Sequence, residues 1–142
     1  MLCVAGTVPS DEYGLLEGEV RLTGDTLNVG TSAIEINRGT PALLAAAAVT
    51  AMSLDRPLYA FLVGDTGTGK GSRHLYAHMT ETLSGKRFET ITFHYLQPIV
   101  HWHKRLQSVL GKLTPKPSLI ADAGFMYAAK MSGEAPLYDL FT

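Results

Sequence analysis

Hydrophobic and polar positions change their period several times along the chain, and each change predicts an element. Leu58, Tyr59, Ala60, Phe61, Leu62 and Val63 form a continuous apolar run, the pattern of a strand buried on both faces of a parallel α/β sheet. Met1 to Val8 is a second short apolar stretch and ends at Pro9. Gly18 to Asn37 alternates instead, which predicts a small antiparallel meander with Val20, Leu22, Leu27, Val29, Ile34 and Ile36 facing inward. Its turns fall at Thr23-Gly24-Asp25-Thr26 and Gly30-Thr31-Ser32, where glycine and Asx chemistry suits tight hairpins.

Helical spacing takes over in the segments between strands. Thr40-Pro41 opens the alanine-rich ALLAAAAVTAMSL, predicted as a helix with a Thr cap and a proline in its first turn. Ser72 to Leu83 places Leu75, Tyr76, Met79 and Leu83 on one face and stops at Ser84-Gly85. Glu89 to Leu96 is β-branched and aromatic, and Gln97-Pro98 turns it into a helix with Ile99, Trp102, Leu106, Val109 and Leu110 inward. Gly111, Pro115 and Pro117 close that helix. Ser118 to Ala121 is the next strand, Phe125 to Met131 a short helix, and Tyr138 to Phe141 begins one more strand. Helix-length crossovers join the runs at 58–63, 90–96 and 118–121, which predicts that these three are parallel neighbours.

Composition narrows the class. The 142 residues suit one domain with a real core. With 46% hydrophobic residues, 18% charged ones and a net charge of -1, the chain carries no electrostatic footprint for nucleic acid or for an anionic membrane. Its single cysteine, Cys3, excludes an internal disulfide and fits a reducing compartment. No run reaches the ~18 apolar residues of a membrane span. A cytoplasmic protein is expected.

The densest candidate chemistry follows the central strand. Gly64-Asp65-Thr66-Gly67-Thr68-Gly69-Lys70-Gly71-Ser72 places four glycines and a lysine between a strand and a helix, so several backbone N–H groups could turn onto an anion. Two readings stand side by side. The stretch looks like the phosphate loop of adenylate-kinase-type P-loop kinases, with Lys70 on the β/γ-phosphates and Ser72 and Asp122 serving Mg²⁺. Gly71, however, stands where the strict pattern wants Ser or Thr. In the other reading it is a glycine-rich turn with Lys70 solvated.

Further candidates are Gly39 and Thr40, at a helix start that can receive an anion, and His94 and Gln97 at a strand end. Asp122 lies at the carboxyl end of a strand, where open α/β sheets bind ligands; it could serve a metal, bind substrate or cap the next helix. His94, His101 and His103 invite a metal reading, but His101 and His103 point to different sides of a helix, and no metal site is expected. A nucleophile triad finds no Gly-x-Ser-x-Gly elbow.

Taken in order, Gly39-Thr40-Pro41-Ala42-Leu43-Leu44-Ala45-Ala46, Leu119-Ile120-Ala121-Asp122-Ala123-Gly124 and Tyr138-Asp139-Leu140-Phe141-Thr142 resemble the ribokinase-like superfamily. The resemblance is to its carbohydrate-kinase-like branch, which includes the ADP- or ATP-dependent NAD(P)H-hydrate dehydratases. It covers about two-thirds of the chain and implies a three-layer α/β/α fold with a mostly parallel sheet, preceded here by the small meander. It also implies ADP or ATP, Mg²⁺ and a nucleotide-like or hydroxylated substrate near Gly39, Thr40, Gly64, Asp65, His94 and Asp122. The branch's Gly-rich anion hole and catalytic Asp lie beyond a Thr-Pro-x-x-Glu motif that Tyr138 to Thr142 would begin. No catalytic residue therefore carries over, and the chain is expected to be the N-terminal part of a longer domain that self-associates as a homo-oligomer. A subunit or regulatory module without catalysis is the third reading.

Overall fold

The apolar stretch at the start of the chain becomes β1 (Leu2–Val8), which runs through the middle of an eight-stranded sheet in the computed structural model, whose residues Met1–Thr142 are all described. The other strands are β2 (Leu16–Thr23), β3 (Thr26–Val29), β4 (Ser32–Ile34), β5 (Leu58–Gly64), β6 (Thr90–His94), β7 (Ser118–Ala121) and β8 (Leu140–Phe141). Their order is β4-β3-β2-β5-β1-β6-β7-β8. From β5 to β8 every neighbouring pair is parallel, while the β2-β3-β4 meander is antiparallel and joins the sheet through β2 on β5. Helices α1 (Thr40–Ser53), α2 (Lys70–Thr82), α3 (Val100–Leu110) and α4 (Ala123–Ser132) complete an α/β architecture.

Because side chains alternate across a strand, the central strands feed two separate cores. Cys3, Ala5, Phe61, Val63, Ile91, Phe93, Leu119 and Ala121 pack under α2, α3 and α4. Val4, Val8, Leu58, Ala60 and Leu62 pack on the other side against α1 and the inward residues Val20, Leu27, Val29 and Ile34 of the meander. Three layers result. The small side chains of α1 (Ala48, Ala51) let that helix lie close on the sheet.

The expected neighbour relation of the three strands needs correction. β6 and β7 are adjacent, but β1 lies between β5 and β6. A helical crossover is long enough to pass over an intervening strand, so chain order alone does not distinguish one strand spacing from two. Two helix details also differ from expectation. Gly39, with φ 69°, is the residue before α1, and Thr40 makes no capping bond because its hydroxyl turns to His94. On α3, His103 and Gln107 are buried along with Leu106 and Leu110, whereas Trp102 and Val109 are only half-buried.

One charged cluster braces the meander against α2. Glu17 Oε1 accepts a 2.6 Å hydrogen bond from the Tyr59 hydroxyl and lies 2.7 Å from Lys86 Nζ, while His78 Nε2 meets Oε2. Burial alone would raise the Glu17 pKa, but bonds from Lys86, Tyr59 and His78 outweigh it and hold the carboxyl at about 2, from an ordinary 4.5. A carboxyl depressed in the folded state stabilises above its unfolded pKa, and that contribution is lost as the pH falls from about 4.5 towards about 2. Glu17→Gln should therefore lower stability at neutral pH by about 1–2 kcal/mol. Urea unfolding of both proteins should show the gap closing in acid.

Candidate ligand-binding site at the strand carboxyl ends

In a parallel sheet the carboxyl ends of the strands collect the loops that lead into helices, and a crevice opens where successive crossovers leave in opposite directions. Here that point lies between β1 and β6. The chain leaves β1 towards the meander, α1 and β5 on one side, and reaches β6 through α2 on the opposite face. A cleft of about 560 Å³ occupies the position, walled by Thr7, Arg38, Asp65, Gly67, Tyr95, Gln97, Gly124 and Tyr127 among others. Its size suits a small molecule.

The glycine-rich loop forms one wall, and its N–H groups are already engaged. Asp65 Oδ1 accepts from the N–H groups of Gly67 and Gly69, each at 3.0 Å, and Oδ2 accepts from both the N–H and the hydroxyl of Ser72, each at 2.8 Å. The turn therefore closes around its own carboxylate. Positive φ at Gly67 (99°) and Gly69 (76°) is what aims those N–H groups inward. Gly71 is required for a different reason: a Cβ there would run into the carbonyl of Gly64. Asp65 is buried, at 6% exposure. Burial would raise its pKa, but the bonds from Ser72, Gly69 and Gly67 prevail and hold it below the ordinary carboxylate value.

The opposite wall is the segment after β6, and its backbone is strained. Tyr95 adopts φ 58°, the left-handed region that side chains larger than glycine avoid, at a cost of about 1 kcal/mol or more. Side chains from three elements fix the segment. Thr7 Oγ1 donates to the Tyr95 carbonyl at 2.8 Å, the Tyr95 N–H donates to Asp122 Oδ2 at 2.8 Å, and the Gln97 N–H donates to Ser72 Oγ at 3.1 Å. The Tyr76 hydroxyl donates to the Gln97 carbonyl at 3.1 Å. Ser72 thus ties the glycine loop to this wall, and Asp122 ties it to α4, whose Phe125 N–H donates to Asp122 Oδ1 at 2.8 Å. Among the alternatives open for Asp122, the cap is observed.

His94 backs this wall from beneath. Its Nδ1 lies 2.8 Å from Thr40 Oγ1, and its ring stacks on Tyr95 with centroids 4.1 Å apart. Burial lowers the His94 pKa against the opposing charge of Asp122, which favours a neutral imidazole. The structure therefore brings Gly39, Thr40, Asp65, Gly67, His94 and Asp122 to one end of the sheet. Gly39 lies against the Tyr95 ring.

Other candidates lie apart from this cleft. Lys70 is exposed and opens with Asp11, Tyr13 and His74 onto a separate depression of about 500 Å³, which Gly64 also lines. Gly69 and Ser72 are buried, Ser72 fully so, with its hydroxyl committed to Asp65 and Gln97. His101 is exposed, while His103 is buried between Ser132 and Tyr138, and no three His, Cys, Asp or Glu side chains group as metal ligands.

Sequence reasoning missed Thr7, Tyr95 and Tyr127. Tyr95 gave no signal because a positive φ at a tyrosine is set by tertiary hydrogen bonds. Thr7 would have been found by treating Met1 to Val8 as a strand whose carboxyl end must carry a loop. Comparison of the chain with protein-family models, with curated proteins and with solved structures found no match.

Proposed function

We propose that this is a ribokinase-like protein related to ADP- or ATP-dependent NAD(P)H-hydrate dehydratases and small-molecule kinases, and that it holds a nucleotide-like or hydroxylated small molecule in the cleft between β1 and β6. The supporting observation is that the parallel strands follow the order β5-β1-β6-β7-β8, with polar side chains from four of the strand ends converging at the switch point. Asp65 is saturated by its own loop. Asp122, next to the cleft, accepts a single N–H on each oxygen and is the carboxylate that would contribute to Mg²⁺. The ion would be held mainly by ligand phosphates and water, as Mg²⁺ commonly is. When bound, it would neutralise phosphate charge. The chain's own part is to position the ligand: Thr7, Tyr95 and Gln97 line the cleft, His94 and Thr40 back the Tyr95 segment, and Arg38 supplies a cation in the cleft wall.

The same geometry weighs against a P-loop phosphotransferase. Such a loop needs its N–H groups and lysine on one phosphate, whereas here the N–H groups face Asp65 and Lys70 opens elsewhere. Lys70→Ala should change stability by no more than about 0.5 kcal/mol, as for most surface positions, and leave nucleotide affinity unaltered. Calorimetric titration of ATP and ADP into both proteins tests this. A loss of triphosphate affinity of about tenfold or more in the variant would restore the P-loop reading.

A further inference from the structure

Tyr95 combines two features that packing does not require of each other. Its backbone is held in the left-handed region by Thr7 and Asp122, yet the residue is 54% exposed. One face of the ring rests on His94 at 4.1 Å between centroids, its edge lies against Gly39, and it lines the cleft together with Tyr127, itself 59% exposed. Backbone strain that surrounding bonds over-determine tends to mark a working position. An aromatic ring backed on one side and open on the other is a stacking surface. Arg38 lines the same cleft, and its side chain has no hydrogen-bond or ion-pair partner. The carboxylate in the cleft wall, Asp65, is in contrast turned to the backbone N–H groups of its own loop.

We propose that Tyr95 is the stacking platform for a planar aromatic ring and Arg38 the counter-charge for an anionic group on the same ligand, so that the cleft selects mononucleotide-sized aromatic anions. The proposal rests on the cleft reading above and sharpens it. Stacking supplies affinity that does not depend on base identity, and the guanidinium distinguishes a phosphorylated ligand from its neutral counterpart. Thr7 and Asp122 act as positioning residues, because they set the Tyr95 backbone.

The test uses AMP, adenosine and inorganic phosphate as probes, followed by amide NMR and calorimetry on wild type, Tyr95→Phe, Tyr95→Gly and Arg38→Ala. Glycine accepts the positive φ, so Tyr95→Gly removes the ring without adding strain, and the amide spectrum verifies that it is folded. AMP should be the tightest-bound probe in wild type and bind Tyr95→Phe about equally, with a loss of about tenfold or more in Tyr95→Gly. Phosphate affinity should be the same in wild type and Tyr95→Gly, and Arg38→Ala should bind AMP no better than adenosine. AMP binding unchanged in Tyr95→Gly, or phosphate bound as tightly as AMP, overturns the platform. If AMP shifts Thr40, Gly67 and Gly124 with the same affinity in wild type and Tyr95→Gly, the platform fails and the cleft reading stands. If neither these probes nor ATP and ADP shift those amides in wild type, both fail.

Discussion

Replacing Asp65 by alanine is expected to destabilise the protein by about 3 kcal/mol or more, because it strips the acceptor from several inward donors at once. The N–H groups of Gly67, Gly69 and Ser72 and the Ser72 hydroxyl would all lose their partner. Ser72 would then also hold the Gln97 N–H less firmly, so the damage should reach the far wall of the cleft. Asp65→Asn should recover only part of the loss, since one side-chain oxygen becomes a donor facing other donors. Equilibrium unfolding in urea measures all three proteins. The Asp65 pKa is depressed in the folded state, so its contribution is complete above the unfolded carboxyl pKa and disappears as the pH falls through the lower folded value. The wild-type advantage over Asp65→Ala should therefore shrink in acid. A variant as stable as wild type at neutral pH would show that the loop holds itself without its carboxylate.

Phe125→Ala should cost about 3–5 kcal/mol, as for large-to-small changes at fully enclosed aromatic positions. Phe125 has no exposure, stacks on Phe93 with centroids 4.6 Å apart and planes 13° apart, and touches the rings of Tyr76, His103 and Tyr138. It is the point where α2, α3, α4 and β6 meet. Phe125→Leu keeps most of the volume and should cost less than half as much. The denaturation midpoint should fall with an unchanged slope in both variants, since slope reports the surface exposed on unfolding. A loss under about 1 kcal/mol for Phe125→Ala would mean that the surrounding rings collapse into the space.

Much of the scaffold was legible from residue pattern. The continuous run at Leu58, the alternation of the meander and the helical spacing after Ser72 each reflect burial by neighbouring elements, and burial is what hydrophobic periodicity records. Strand order was less accessible. The small residues Ala5, Gly6 and Thr7 gave β1 a weak pattern, although β1 is the strand between β5 and β6.

Sequence position grouped Gly39, Thr40, Asp65, His94 and Asp122 because they sit at strand ends and helix starts, and of these the cleft wall itself contains Asp65. It could not tell that Asp65 turns inward and fills the loop, since glycines that cradle a phosphate and glycines that cradle a carboxylate are written alike. It also could not reveal Tyr95, whose conformation depends on a hydroxyl 88 positions away in the chain.

The central claim concerns which side of the glycine loop receives the ligand. Amide NMR of the wild-type protein titrated with ADP and ATP in the presence of Mg²⁺ tests it directly. The account predicts that the largest shifts fall on Gly39, Thr40, Gly67, His94, Tyr95 and Gly124, around the cleft between β1 and β6. Shifts confined to Lys70, Gly71 and His74, with the Tyr95 and Gly124 amides unmoved, would contradict it.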